Sequence, residues 1–374
     1  MNFSPYPFEL LNNLISNISP KKEIIKLTIG EPQFQTPQII INELIKNAPL
    51  LCKYPPSKGE SYLIDSQIEF IKNRFKLDIK SSEILPTFGT REVLFNFPSF
   101  FFNSKFHKKS TRFIAFPNPF YKIYEGAAIA SGANIIFMNL NEENNFKPHL
   151  DEQSLKKVDL VILNSPNNPT GSTLNIDELS SWVKAALEYD FILLSDECYS
   201  EIYEDIPPPS ILEASLKVGN INFKNILALN SISKKISAPG LRSGFIAGDS
   251  RILKDYALYR TYIGAASPLP LQKAASVAWR DKEFSKNFRQ IYARNLKLSR
   301  EILKVKVEPY TFYTWLKVAD DMEFTKELYA NDGILVLPGR FLGQNGAGIG
   351  YVRIALVYSE EVIKDSLERL LKWI

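Results

Sequence analysis

The residues whose types and spacing could do chemistry lie mainly in residues 230–242, NSISKKISAPGLR. Ser231 and Ser233 supply hydroxyl donors, Arg242 a planar guanidinium, and Gly240 a turn between them. Hydroxyls and a guanidinium fork suit the oxygens of a phosphate. A lysine beside such a site, here Lys234, could form a Schiff base with an aldehyde cofactor. S-x-S-K alone reads equally as a basic surface loop; the register from Lys234 to Gly240 and Arg242 separates the two. Two further polar clusters follow apolar runs: residues 164–171, NSPNNPTG, and residues 196–199, DECY. Each alone could be a turn or a solvated carboxylate. There are only two histidines, His107 and His149, in unrelated surroundings. That argues against a Ser-His-Asp triad and against a histidine-rich metal site. Proton transfer would then fall to another group, such as a lysine of lowered pKa.

These clusters need strands and helices to place them. Short apolar runs at residues 84–87, 112–116, 135–138, 158–163, 191–195, 226–229 and 244–247 read as buried strands. Helical patterns alternate with them, at 61–75, 90–103, 119–131 and 176–189, with Pro98 predicting a kink in the second. Such alternation predicts a mostly parallel sheet covered by helices, with ligands at the carboxyl ends of its strands. The clusters after residues 163, 194 and 229 sit there. Residues 88–92, FGTRE, form a glycine turn opening a helix, where free N–H groups face an anion. Residues 268–305 are helix-rich. Strands near 312–318, 334–337 and 351–357 with helices at 322–330 and 359–373 suggest a smaller α+β unit. Residues 343–350, GQNGAGIG, precede a strand rather than link strand to helix, so they read as a flexible loop and not a dinucleotide fingerprint.

With 374 residues and 45% hydrophobic content, the chain can bury two domains' worth of core. Lys+Arg 45 against Asp+Glu 41 gives a net charge of +4, too mild to argue for nucleic acid. Cys52 and Cys198 make no disulfide framework. The first ten residues lack a basic region and carry Pro5 and Pro7, unlike a signal peptide, and no apolar run is long enough to span a bilayer. A cytoplasmic enzyme without membrane or nucleic-acid partners is expected.

Taken together, N-P-T-G at 168–171, D-E-x-Y at 196–199, S-x-S-K at 231–234 and G-x-R at 240–242 resemble the pattern of the class I aminotransferases, pyridoxal phosphate enzymes of fold type I. The resemblance covers essentially the whole chain. It implies an α/β fold: a large domain with a mostly parallel seven-stranded sheet sandwiched by helices, and a smaller α+β domain from the two chain ends. The corresponding boundaries are 1–50 for the N-terminal arm and part of the small domain, 51–280 for the cofactor domain and 281–374 for the C-terminal small domain.

The resemblance also implies roles. Lys234 would carry pyridoxal 5'-phosphate and then act as the base that moves a proton. Asp196 would pair with the pyridine nitrogen, and Tyr199 and Asn168 would hydrogen-bond the ring hydroxylate. Ser231, Arg242 and the N–H groups of the turn Gly89, Thr90 and Arg91 would hold the phosphate, with Tyr121 stacked on the ring. Tyr54 would reach the phosphate of a neighbouring subunit, so a homodimer with shared sites is implied. Arg353 would clamp the substrate carboxylate, with Gly30 and Asn168 beside it, and no metal is called for. Residues 6–9, 29–32, 117–126, 196–203 and 259–262 look like the N-succinyldiaminopimelate aminotransferases of lysine and diaminopimelate synthesis. That implies N-succinyl-LL-2,6-diaminopimelate and 2-oxoglutarate as substrates, with Arg260 a candidate for the distal cation. Residues 264–266, GAA, depart from that pattern. An aspartate or aromatic aminotransferase, or a β-eliminating lyase of the same fold, are the alternatives; a ligand-sensing regulator domain would need an appended DNA-binding module.

Overall fold

The computed structural model describes residues 3–374; residues 1 and 2 of the expected N-terminal arm lie outside them. Seven strands form the central sheet, in the order Ile84–Thr87, Gly244–Gly248, Ile226–Ser231, Ile192–Asp196, Leu160–Asn164, Phe113–Asn118, Asn134–Asn139. All neighbours pair in parallel except Gly244–Gly248, which runs antiparallel to both strands beside it. The inner strands are buried along their whole length, which is why they read as unbroken apolar runs. Successive side chains point to opposite faces. Val161, Leu163, Leu193 and Ala228 join one core cluster, and Leu160, Ile162, Leu194, Leu227 and Leu229 the other. Covering both faces with helices fixes the register, because a one-residue slip would exchange the clusters.

Asn164, Asp196 and Ser231 are the last residues of adjacent strands. The sheet therefore delivers the three polar clusters to one edge, with Asn164 directly paired to Asp196. The helix Thr90–Phe102 runs through Pro98, and its N-terminus faces the same edge. Chain ends meet beyond it. Ile25–Lys26 pairs in parallel with Ile334–Leu335, and Leu337–Pro338, Tyr351–Ala355 and Tyr313–Lys317 form an antiparallel sheet. Leu27 packs with Leu296, Leu316 and Ile354, and Leu11 with Tyr329 and Leu342.

Three helices add to the sequence reading: Glu152–Lys157, Ile211–Lys217 and Ser250–Tyr262. The expected flexible loop at 343–350 is instead held. Gln344 N–H donates to Asn118 Oδ1 (3.0 Å), its Nε2 to Glu125 (2.6 Å), and Gly350 N–H to Asp321 (3.3 Å). Glycine content signals conformational freedom only when no acceptors are within reach, and here they are. Among the described residues no helix is long and apolar enough to cross a membrane, and no cluster of three or more His, Cys, Asp or Glu side chains is placed to hold a metal.

Candidate active site

A cavity of about 710 Å³ opens at the carboxyl edge of the sheet, between it and the segments carrying Gly30, Tyr313 and Arg353. Asp196 forms part of its lining and is 4% exposed. Tyr124 Oη donates to its Oδ2 at 2.8 Å and Cys198 N–H to its Oδ1 at 3.3 Å. Burial raises this carboxyl above the usual range. A buried carboxylate ordinarily has a cationic partner. No lysine or arginine among the described residues supplies one to Asp196. Asn164 fixes the local backbone, donating to the carbonyls of Pro166 (3.1 Å) and Asp196 (3.0 Å) and accepting from Asn168 N–H (2.8 Å).

Lys234 leaves the strand Ile226–Ser231 within a tight turn and points into the cavity, where its ammonium donates to the carbonyl of Gly30. Burial lowers its pKa to about 8. Lys235, one residue on, turns the other way. It is 4% exposed, donates to the carbonyls of Ala278 (3.3 Å) and Trp279 (3.0 Å), and sits 4.8 Å from the Phe70 ring centroid. Gly30 has a steric reason to be glycine: a Cβ there would strike the Tyr313 hydroxyl and come 2.7 Å from the Phe312 ring.

At the far wall Gly89 (φ +76°) turns the chain into the helix Thr90–Phe102, which has no side-chain cap. Its first N–H groups have no intrahelical acceptor, and the helix dipole adds positive potential. Arg242 lies against this turn, and among the described residues its guanidinium donates only to the Pro239 carbonyl (3.0 Å). Ser231 Oγ donates to Ser233 Oγ (2.9 Å), and both line the cavity beside Arg242. Arg91 Nε donates to Tyr121 Oη at 2.8 Å.

Arg353 is 4% exposed and lies 4.4 Å over the Tyr313 ring. Its Nη1 donates to Asn168 Oδ1 (2.7 Å) and its Nη2 to the Thr28 carbonyl (2.5 Å), while its Nε has no partner among the described residues. A buried guanidinium with a donor left over can take a further acceptor. Tyr199 Oη and Tyr313 Oη are 3.1 Å apart.

The structure thus brings together Lys234, Asp196, Tyr199, Asn168, Ser231, Arg242, Tyr121, Thr90, Arg91, Gly30 and Arg353, with Gly89 behind the Arg242 guanidinium. Tyr54 is outside this cavity and fully exposed. The distal-cation expectation for Arg260 is corrected. Arg260 is 1% exposed, does not line the cavity, and forms a buried ion pair with Glu92 at 2.6 Å. It sits on the inward stripe Ile252, Leu253, Tyr256, Ala257, Arg260 of the helix Ser250–Tyr262, whose 3.6-residue spacing carries it into the protein. Sequence reasoning missed Tyr124, Tyr313 and Asn164. Tyr124 was findable as a lining residue, three positions after Tyr121, though its reach to Asp196 was not; Asn164 opens the polar cluster after residue 163, while Tyr313 sits where only the assembled sheets place it.

A family model for aminotransferases of class I and II matches residues 22–370. An LL-diaminopimelate aminotransferase of Natranaerobius thermophilus is 31% identical, with 100% of this chain and 97% of that protein covered. One from Aquifex aeolicus is also 31% identical, covering 98% and 96%. Among solved structures, aminotransferase AspB of Helicobacter pylori 26695 is 51% identical with a TM-score of 0.97, covering 100% of this chain and 99% of that one. An aminotransferase of Neisseria meningitidis Z2491 is 38% identical with a TM-score of 0.93, covering 99% and 98%.

Proposed function

The chain belongs to the class I and II aminotransferases, which use pyridoxal phosphate, and on that premise we propose that it moves an amino group from N-succinyl-LL-2,6-diaminopimelate to 2-oxoglutarate. The residues fit the cofactor. Asp196 is a buried carboxylate lacking a cation, as a protonated pyridine nitrogen requires. Arg242, Ser231, Ser233 and the helix N-terminus at Thr90 form a cup for the phosphate. Bound there, the cofactor supplies a ring that accepts the electrons released when the substrate Cα–H bond breaks.

The side chains do the rest. Lys234 would take the proton from Cα and pass it to the cofactor carbon that bore the aldehyde, and an amine pKa near 8 keeps a useful neutral fraction at neutral pH. Arg353, already oriented by Asn168 and Thr28, receives the substrate carboxylate on its free Nε and the outer face of its fork. Tyr199 and Asn168 hold the ring oxygen. Residues 51–280 act as the cofactor domain against a smaller domain built from 1–50 and 281–374. A homodimer in which the exposed Tyr54 enters the partner's site completes the reading.

The observation that carries the substrate assignment is charge. The cavity is lined by Arg91, Lys122, Lys234, Arg242 and Arg353 against Glu31, Glu92 and Asp196. Arg242, Lys234 and Asp196 serve the cofactor, Arg353 the α-carboxylate, and Glu92 is neutralised by Arg260. Arg91, whose side chain among the described residues donates to the Tyr121 hydroxyl, remains for a distal carboxylate. Lys122 is paired with Glu125 at 2.6 Å, which leaves Arg91 and Glu31; a succinylated donor replaces a distal ammonium by further carboxylate, which suits Arg91. Free LL-diaminopimelate is the second reading, supported by the relatives' names and by Glu31, an exposed carboxylate at the cavity. Comparing kcat/KM for the succinylated donor, free LL-diaminopimelate, aspartate and phenylalanine, each with 2-oxoglutarate, tests the assignment. Preference for aspartate or phenylalanine overturns it; keto acid released without 2-oxoglutarate identifies a lyase instead.

A further inference from the structure

Arg260 lies outside the cavity, yet it is the most completely engaged guanidinium of the site's surroundings. Its Nε and Nη2 grip both oxygens of Glu92 (2.6 and 2.9 Å). Its Nη1 donates to the carbonyls of Ser57 (3.1 Å) and Pro86 (2.9 Å), and Nη2 also to that of Ala265 (3.1 Å). All five N–H donors of an arginine are thereby used. Glu92 is the third residue of the helix whose N-terminus faces the cavity, and its carboxylate also accepts Phe88 N–H at 2.8 Å. The carboxylate therefore closes the turn Phe88–Gly89–Thr90 from behind, and Arg260 ties that carboxylate to the edge strand at Pro86 and to the loop carrying Ser57.

We propose that Arg260 is a positioning residue for the cofactor phosphate: through Glu92 it holds the Phe88–Glu92 turn at the spacing that lets the helix N–H groups and Arg242 converge on one anion. Its reach to Ser57 also sets the segment that begins at the exposed Tyr54. Lysine cannot substitute, because an ammonium has no planar fork to span both Glu92 oxygens and three carbonyls. The inference rests on the cofactor, not on which amino acid is the donor, so it survives or fails independently of the substrate assignment.

The test uses cofactor-free wild type, Arg260→Lys, Arg260→Met and Glu92→Gln, titrated with pyridoxal phosphate by fluorescence, with kcat measured at saturating cofactor and KM for the amino donor. The expected result is a Kd for the cofactor raised at least tenfold in each variant, with kcat of the loaded enzyme within about threefold of wild type, since Lys234, Asp196 and Arg353 are untouched. Binding of inorganic phosphate to the cofactor-free protein should weaken in parallel. Should Arg260→Met fail to fold, Glu92→Gln decides, because it keeps an oxygen for Phe88 N–H and disturbs only the guanidinium contact. Folded variants that bind the cofactor within twofold of wild type overturn the proposal. So does a raised KM for dicarboxylic donors at unchanged cofactor affinity, which would make Arg260 a substrate contact.

Discussion

Replacing Asp196 by Asn removes one charge and almost no volume from the floor of the cavity. The wild-type carboxylate is 4% exposed, receives Tyr124 Oη at 2.8 Å, and is pushed by burial toward its neutral form. In the cofactor-free protein it is a buried charge without a cation, so the amide should leave stability unchanged or raise it. In the loaded enzyme the sign reverses. Removing one partner of a buried, hydrogen-bonded charge pair costs about 3–5 kcal/mol. At about 1.4 kcal/mol per tenfold, proton abstraction should slow by roughly two to four orders of magnitude. Single-turnover kinetics of the loaded enzyme with a saturating amino donor, beside thermal melts of the cofactor-free forms, read both halves. A loaded variant within about tenfold of wild type would refute the pairing. A cofactor-free variant melting well below wild type would refute the claim that Asp196 is held there uncompensated.

Lys234→Ala should abolish turnover and the borohydride-reducible link to the cofactor, whereas Lys235→Ala should keep the link but lower the melting temperature, having emptied a buried site and orphaned the Ala278 and Trp279 carbonyls; peptide mapping after reduction checks both. Because burial depresses the Lys234 amine to about 8, capture of pyridoxal phosphate by cofactor-free enzyme should accelerate as pH rises through that value, the neutral amine being the nucleophile. Gly89→Ala forces a side chain into a conformation costing about 1–3 kcal/mol and places its methyl on the Arg242 guanidinium. The melting temperature should fall and the cofactor Kd rise at least tenfold by titration; an unchanged Kd would separate Arg242 from the phosphate.

Order along the chain determined a great deal. Unbroken apolar runs announced inner strands, because a sheet covered on both faces demands apolar side chains at every position rather than alternate ones. Polar clusters just after those runs marked the ligand edge, because strands end where side chains can stop being apolar. Lys234 was separable from Lys235 by its register against Gly240 and Arg242. Tertiary structure alone decided three things. Tyr124 Oη reaches Asp196 across 72 residues, and Tyr313 meets Tyr199 across 114, distances over which local pattern carries no information. The glycine-rich stretch at 343–350 became ordered because Asn118 and Glu125, far away in sequence, offered it partners. Arg260 read as a substrate-facing cation because arginine is seldom buried; its helical spacing from Tyr256 and Ala257 pointed inward, but only Glu92 and three carbonyls assembled from separate segments could compensate a guanidinium there.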